Sequence, residues 1–208
     1  MRNVDSNFLT ALTSARDTGI VPRKFIWIAA RDRETGAIEG MGLWTGDEDI
    51  TVTLISAQTG QSTTRLYLGA GALVSVSSIP RVSNLTIQTV KIDLSQVAGA
   101  TQQLVRGYDV RLAKVEIHEA ALDTASRGLV AAPAAVFLGE VDGAPIETPA
   151  VGGKGRISLK VVSDAISMLT RKNPAKSSYE QQRRRGGDEW GKHSSTIETW
   201  KIPWGQKS

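Results

Sequence analysis

The chain has 208 residues, a formal net charge of +4, 40% hydrophobic and 22% charged residues, and no cysteine. This composition is typical of a folded, soluble protein with one large domain or two small ones. The lack of cysteine excludes a disulfide framework, a thiolate zinc site, an iron–sulfur cluster and a cysteine nucleophile. The apolar runs are too short for a transmembrane helix, and we expect no signal peptide because the first residues are polar.

Taken in chain order, the elements predict a mainly β fold. Residues 6–17 predict a short amphipathic helix, with Ser6 as a possible N-cap and an apolar stripe that must pack on something. A second, weaker helix is expected over residues 94–106. The pattern shifts phase within the strands at 85–94 and 110–119, which predicts a β-bulge in each. The expected strands are 24–30, 49–57, 64–68, 73–77, 85–94, 110–119, 135–141, 144–146 and 155–162.

The spacing of these strands predicts an antiparallel β-barrel or sandwich with short helices. Asp142-Gly143 predicts a tight hairpin between two of them, because this pair tolerates positive φ. The expected organisation is an N-terminal helix and lead-in (1–20), a β body of one or two subdomains (21–170) and an extended C-terminal arm (171–208).

The expected arm carries the basic character of the chain. Residues 171–208 contain nine Lys/Arg against four Asp/Glu, whereas the rest of the chain is close to neutral. The arm also holds three of the five tryptophans, which are rarely left in a solvated tail and therefore predict contact with a partner chain. The candidate assembly contacts are Arg171, Arg183, Arg184, Arg185, Trp190, Trp200 and Trp204.

Enzymatic motifs are incomplete. The glycines at 69–72 and 152–155 lack the spacing of a dinucleotide or phosphate loop, so we expect plain turns. His118-Glu119 begins a zinc-protease pattern, but Leu122 stands where the second histidine belongs. We expect a structural His118, paired with Glu116 two residues away on the same strand face. The prediction is a non-enzyme without catalytic residue, cofactor or metal.

Three stretches of the sequence resemble the tail-tip hub (baseplate hub) proteins of long-tailed phages and gene transfer agents. This family is related to the front part of the lambda-type tail tip protein. The first stretch is Asp109–Val115, and the second is Val136–Pro145, which is similar to a Phe-x-Gly-x-Val-Asp hairpin. The third is the tail, through Leu169–Pro174, Ser178–Arg183, Gly187–Trp190 and Trp204-Gly205.

The resemblance implies a β-barrel hub in the virion, at the distal end of the tail, reached after assembly in the host cytoplasm. The hub would form a ring, commonly a trimer, between the distal tail ring protein and the central fibre or spike protein. No small-molecule substrate and no membrane contact in the resting particle are expected. Two alternatives stay open: a tip-associated cell-wall hydrolase that depends on carboxylates or on His118, and a nucleic-acid-binding module using Arg183–Arg185.

Overall fold

The computed structural model describes residues 5–80, 86–147, 155–165, 178–194, 196–199 and 204–205. The chain divides into two compact units, Met1–Leu169 and Thr170–Ser208. The described helices of the first unit are α1 (Ser6–Thr18) and α2 (Gly99–Gly107). Strands hold 46% of the described residues against 18% in helices, so the predicted mainly β fold is confirmed. The strands are β1 (Val21–Asp32), β2 (Ile38–Trp44), β3 (Ile50–Ile55), β4 (Ser62–Leu68), β5 (Leu73–Val76), β6 (Thr89–Ser95), β7 (Tyr108–Leu122), β8 (Ala134–Gly143), β9 (Ile146–Glu147) and β10 (Arg156–Ser163).

The strands form one curled sheet, a half-barrel. Its order is β3-β4-β2-β1-β7-β8-β10-β6-β5, and β9 pairs with β10. The longest pairing joins β1 and β7, antiparallel from Val21↔Leu122 to Asp32↔Tyr108. By contrast, β2 and β4 are parallel and share only the pairs Gly42↔Tyr67 and Leu43↔Leu68. The β3–β4 hairpin is therefore joined to the other described strands by a very short ladder.

Strands β1 and β7 are buried on both faces, which explains their continuous apolar sequences. One face carries Ile28 and Val115 into the main core. The opposite face carries Phe25 and Ala120 into a second core. The hairpin closes this second core from the other side with the buried residues Val52, Leu54 and Tyr67. The β3–β4 hairpin is thus a second layer over the central strands.

Strand β2 was missed by the sequence analysis because two glycines interrupt its alternation. The ring of Trp27 occupies the space that a side chain at Gly40 would need. At Gly42, a side chain would meet the backbone oxygen of Leu66 in the neighbouring β4. The glycines therefore mark close packing inside the sheet, not a loop.

The phase shift within residues 110–119 is a β-bulge, as predicted. Between the pairs Ala29↔Lys114 and Arg31↔Asp109, β7 contains more residues than the facing segment of β1. Leu112 lies in this bulge with φ of 58° and is 65% exposed. The other predicted bulge, at 85–94, is wrong, since β6 begins only at Thr89. The neighbouring strand β5 carries the irregularity instead, between Leu73 and Ser75.

Two further boundaries differ from expectation. Helix α2 begins at Gly99, several residues later than predicted, because residues up to Ser95 continue β6. The hairpin predicted at Asp142-Gly143 is wrong. Both residues belong to the end of β8, and Ile146 of β9 pairs with Ile157 of β10 instead.

Helix α1 begins where the sequence predicted, but its N-cap is Asp5. The Asp5 carboxylate accepts the backbone N–H groups of Asn7 (2.8 Å) and Phe8 (3.3 Å). None of the helix residues is fully buried, and Leu9 and Leu12 are 52% and 45% exposed. The apolar stripe is thus only partly covered.

The described part of the second unit contains α3 (Tyr179–Arg183) and a 3₁₀ helix (Ile197–Thr199), connected by turns. Gly186 and Gly187 adopt φ of 72° and 84°, a region that glycine enters without strain. The chain reverses there, and Gly191 returns to the side chain of Gln182. The described backbone of the predicted arm is therefore helical and turn-rich.

Candidate functional site

A buried carboxylate lies between the two layers of the first unit. Glu116 on β7 is 2% exposed and forms a bidentate ion pair with Arg65 of β4, at 3.0 and 3.1 Å. The hydroxyl of Ser56 and the backbone N–H of Ala57 each donate to the same carboxylate at 2.8 Å. Four hydrogen bonds therefore bind Glu116 to the hairpin.

The charges of this pair are stabilised by their surroundings. Burial alone would raise the pKa of Glu116, but the hydrogen bonds from Arg65, Ala57 and Ser56 outweigh it and lower that pKa. Burial alone would lower the pKa of Arg65, but Glu116 raises it. The guanidinium also lies 4.5 Å from the ring centre of Trp27, a cation–π distance. Both groups stay ionised at neutral pH.

His118 completes the cluster on the same strand face. Its side chain is fully buried, and Nε2 lies 3.2 Å from the carbonyl oxygen of Ile55 and 3.7 Å from Glu116. His118 and Glu116 share one strand face as predicted, but the polar partner of the imidazole is the Ile55 carbonyl and not the Glu116 carboxylate. Because Nε2 faces a carbonyl acceptor, it carries the proton, and Nδ1 has no hydrogen-bond partner among the described residues. Burial lowers the pKa of His118, so the ring is neutral.

The geometry of the cluster suits attachment of the hairpin. The Ser56 hydroxyl donates to Glu116, while the imidazole faces a backbone carbonyl, so serine and histidine are not aligned for nucleophilic catalysis. Every hydrogen bond of the Glu116 carboxylate instead joins β7 to the turn after β3 or to β4. The cluster, defined as Ser56, Arg65, Glu116 and His118, acts as an interlayer latch.

Sequence reasoning found only half of this latch. The alternation along β7 placed Glu116 and His118 on one face, but it gave no sign of Arg65 or Ser56. These two residues lie 51 and 60 positions away in the chain. An arginine and a serine in an alternating strand usually face solvent, so the signal was too weak to single them out.

A cleft of about 510 Å³ opens on the first unit and contains several carboxylates. Arg23 and Arg127 line it together with the loop Asp47–Asp49. Asp49 accepts the backbone N–H of Gly69 at 3.0 Å. Asp123 accepts the backbone N–H groups of Ser126 and Ala125, which lower its pKa. These two carboxylates stabilise turns.

The predicted assembly contacts lie in the second unit or outside the described residues. Arg183 ends α3, Arg184 and Arg185 follow it, and all three are exposed. Trp190 is 88% exposed and Trp204 is 86% exposed. The return of Gly191 to Gln182 brings the segment of Trp190 back beside α3, near the arginine run. Arg171 and Trp200 fall outside the described residues.

The part of the chain that the structure describes contains no group of three or more metal-ligating side chains placed to hold an ion. Within the same residues, no helix has the length and apolar character needed to cross a bilayer. No protein-family model matches the chain, and a search of curated proteins finds no significant relative.

Proposed function

We propose that this chain is a structural subunit of the tail tip of a long-tailed phage. It forms a homo-oligomeric hub ring, a trimer, between the distal tail ring and the central fibre or spike. Its work is the binding of other protein chains, with no catalytic step. The resemblance of the sequence to tail-tip hub proteins suggests where the subunit acts. The exposed aromatic residues of the second unit favour binding to other protein chains.

The observation that carries the proposal is the exposure of Trp190 and Trp204. Each leaves more than four fifths of its surface in contact with solvent. Burial of such a ring at an interface is strongly favourable, and tryptophan and arginine dominate the binding energy of known interfaces. Arg183–Arg185 add exposed positive charge close to Trp190. This combination favours a docking surface for another protein.

The latch in the first unit supports the same function. A ring subunit has to transmit force without changing shape, and the latch fixes the second layer on β1 and β7 through buried ionic hydrogen bonds. A buried carboxylate with four hydrogen bonds holds the elements that it joins in one arrangement. The ion pair of Glu116 and Arg65 therefore makes the first unit more rigid.

The test compares particles whose subunit carries Trp190→Ala and Trp204→Ala with particles carrying Trp190→Phe and Trp204→Phe. Loss of one anchoring tryptophan costs about 2–4 kcal/mol of binding, so the double alanine variant should be absent from purified particles. The phenylalanine variant keeps aromatic area and should be incorporated more than the alanine variant. Both should melt at the wild-type temperature, since these side chains are exposed.

Incorporation of the double alanine variant at the wild-type level would contradict the proposal. So would release of cell-wall fragments by the purified chain, which is the result that the hydrolase alternative predicts. The nucleic-acid alternative predicts a DNA affinity that falls steeply with salt and depends on Arg183–Arg185. Sedimentation of the purified chain tests the trimer directly.

A further inference from the structure

The cleft on the first unit is lined by two loops at one end of the sheet. The loop after β2 contributes Asp47 and Glu48, and the turn after β7 contributes Asp123 and Arg127. The volume of the cleft is about 510 Å³. Cavities that hold small molecules typically measure about 300–1,000 Å³. The cleft is therefore large enough for a ligand of that size.

The floor of the cleft is apolar. It consists of Val21, Trp44, Ile50 and Leu122. Each of them belongs to the second core or packs against it. The indole of Trp44 is held in place, because its Nε1 donates to the carbonyl oxygen of Glu48 at 2.7 Å. The apolar part of a ligand would thus rest on an ordered surface that already belongs to the core.

Two arginines line the cleft without a counter-charge. Arg23 of β1 is half-buried, and its Nη1 donates to the carbonyl oxygen of Pro22 at 3.1 Å. Its Nε has no hydrogen-bond partner among the described residues. Within the same part of the chain, the side chain of Arg127 forms no hydrogen bond or ion pair. A guanidinium that is partly withdrawn from water without an anion is unfavourable, so the cleft favours a negatively charged acceptor.

The backbone at Arg127 gives independent support. The N–H of Asp123 donates to the carbonyl oxygen of Gly128 at 2.9 Å, and the N–H of Arg127 donates to that of Asp123 at 3.0 Å. In this closed turn Arg127 adopts φ of 56°, a conformation that glycine enters without strain. Strained positions of this kind concentrate at ligand-binding sites. The presence of arginine here favours a use of its side chain in the cleft.

The cleft also contains unpaired negative charge. Asp49 and Asp123 accept backbone N–H groups in turns, but the side chains of Asp47 and Glu48 are exposed. Among the described residues, neither of these two side chains forms a hydrogen bond or an ion pair. The cleft therefore keeps cations and anions apart above an apolar floor. Such a surface complements a ligand that carries both charges, whereas the carboxylates would repel a polyanion such as DNA.

We propose that this cleft binds a zwitterionic ligand with an apolar body, of the class of short peptides with free ends. The carboxylate of the ligand pairs with Arg23 and Arg127. Its ammonium group pairs with Asp47 and Glu48, and its apolar side chains lie on the floor beside Trp44. The ligand is bound and not converted. This inference goes beyond the proposed function, and its failure would leave the tail-tip proposal unaffected.

The probe is the dipeptide leucyl-leucine, titrated into the full chain by isothermal titration calorimetry. We expect saturable binding. Acetylation of its amino end removes the ammonium group, and amidation of its carboxyl end removes the carboxylate. Each blocked form should bind about tenfold more weakly, because hydrogen bonds between charged groups are the stronger ones. Free leucine identifies the source of the zwitterion: if it binds more tightly than the dipeptide, the ligand is an amino acid, and the assignment to peptides is wrong.

Arg127→Gly separates binding from folding. It removes the guanidinium and relieves the positive φ, so binding of the dipeptide should weaken about tenfold while the melting temperature stays equal or rises. Leu112→Gly is the matched control, because it relieves a positive φ outside the cleft, and it should bind like the wild type. Asp47→Asn combined with Glu48→Gln should weaken binding of the dipeptide but not of its acetylated form.

Three results would overturn the proposal. The first is the absence of saturable binding by leucyl-leucine. The second is equal binding of the dipeptide and its blocked forms, which would indicate an apolar contact alone. The third is wild-type affinity of Arg127→Gly for the dipeptide.

Discussion

Replacement of Arg65 by methionine tests the interlayer latch most directly. The side chains of Arg65 and Glu116 are 10% and 2% exposed, so this pair is shielded from water. Arg65→Met keeps much of the aliphatic volume beside Trp27 but removes both guanidinium hydrogen bonds. Glu116 would then keep only the donors of Ser56 and Ala57.

The expected loss of stability is large. Removal of one partner from a buried ion pair costs about 3–5 kcal/mol, because the remaining charge is buried without compensation. The cation–π contact with Trp27 contributes about 0.5–2 kcal/mol of its own. Part of this overlaps with the loss of the ion pair, so we expect a total of about 4 kcal/mol. That is a large fraction of the stability of a typical domain.

The loss should also depend on pH, with a sign fixed by the pKa of Glu116. In the wild type this pKa is lowered, so the ionised Glu116 stabilises the fold at neutral pH. This contribution disappears as the pH falls through the pKa of Glu116 in the folded state. Without Arg65, the pKa of Glu116 is higher than in the wild type, because burial still opposes ionisation while the guanidinium hydrogen bonds are lost. The stability difference between wild type and Arg65→Met should therefore be greater at pH 8 than at pH 5.

Urea unfolding followed by tryptophan fluorescence measures both effects, since Trp44 is buried and Trp27 is half-buried at the second core. Arg65→Met combined with Glu116→Gln should recover part of the loss, because no charge remains buried. Lys24→Met, which breaks the partly exposed pair with Glu119, is the control and should cost less than about 1 kcal/mol. A cost for Arg65→Met no greater than that of Lys24→Met, or one independent of pH, would refute the reasoning.

Three other outcomes are expected in the first unit. Gly40→Ala should lower the free energy of unfolding in urea by about 1–3 kcal/mol, because its methyl group would overlap Trp27. Gly99→Ala is the control, since it lies at the start of a helix with open space around it, and it should be neutral or stabilising. Because burial lowers the pKa of His118, stability should fall as pH drops below about 6.5, and His118→Gln should flatten this part of the stability–pH curve. Leu112→Gly should raise the melting temperature, since glycine adopts this positive φ without the strain of about 1 kcal/mol that a side chain causes. A lower melting temperature would contradict this account of the bulge.

Alternation and composition predicted the class of fold correctly. The β-branched runs determined where most strands lie, because a half-buried strand requires side chains that alternate between core and solvent. The phase shift near Leu112 predicted a bulge for the same reason. Alternation also placed His118 beside Glu116. The assembly role of the tail, from Arg171 to Trp204, came from composition and resemblance, and it stays a prediction.

The tertiary structure alone decided the layering and the latch. Strand β2 was hidden because Gly40 and Gly42 are required by neighbouring rings and backbone, which no local pattern reveals. The turn signal at Asp142-Gly143 was overridden because the pairing of β8 with β10 continues as far as Gly143. Arg65 meets Glu116 only after the hairpin folds over β1 and β7. Local sequence determines which residues can form a strand, whereas contacts between distant segments determine which strands meet and which charges pair.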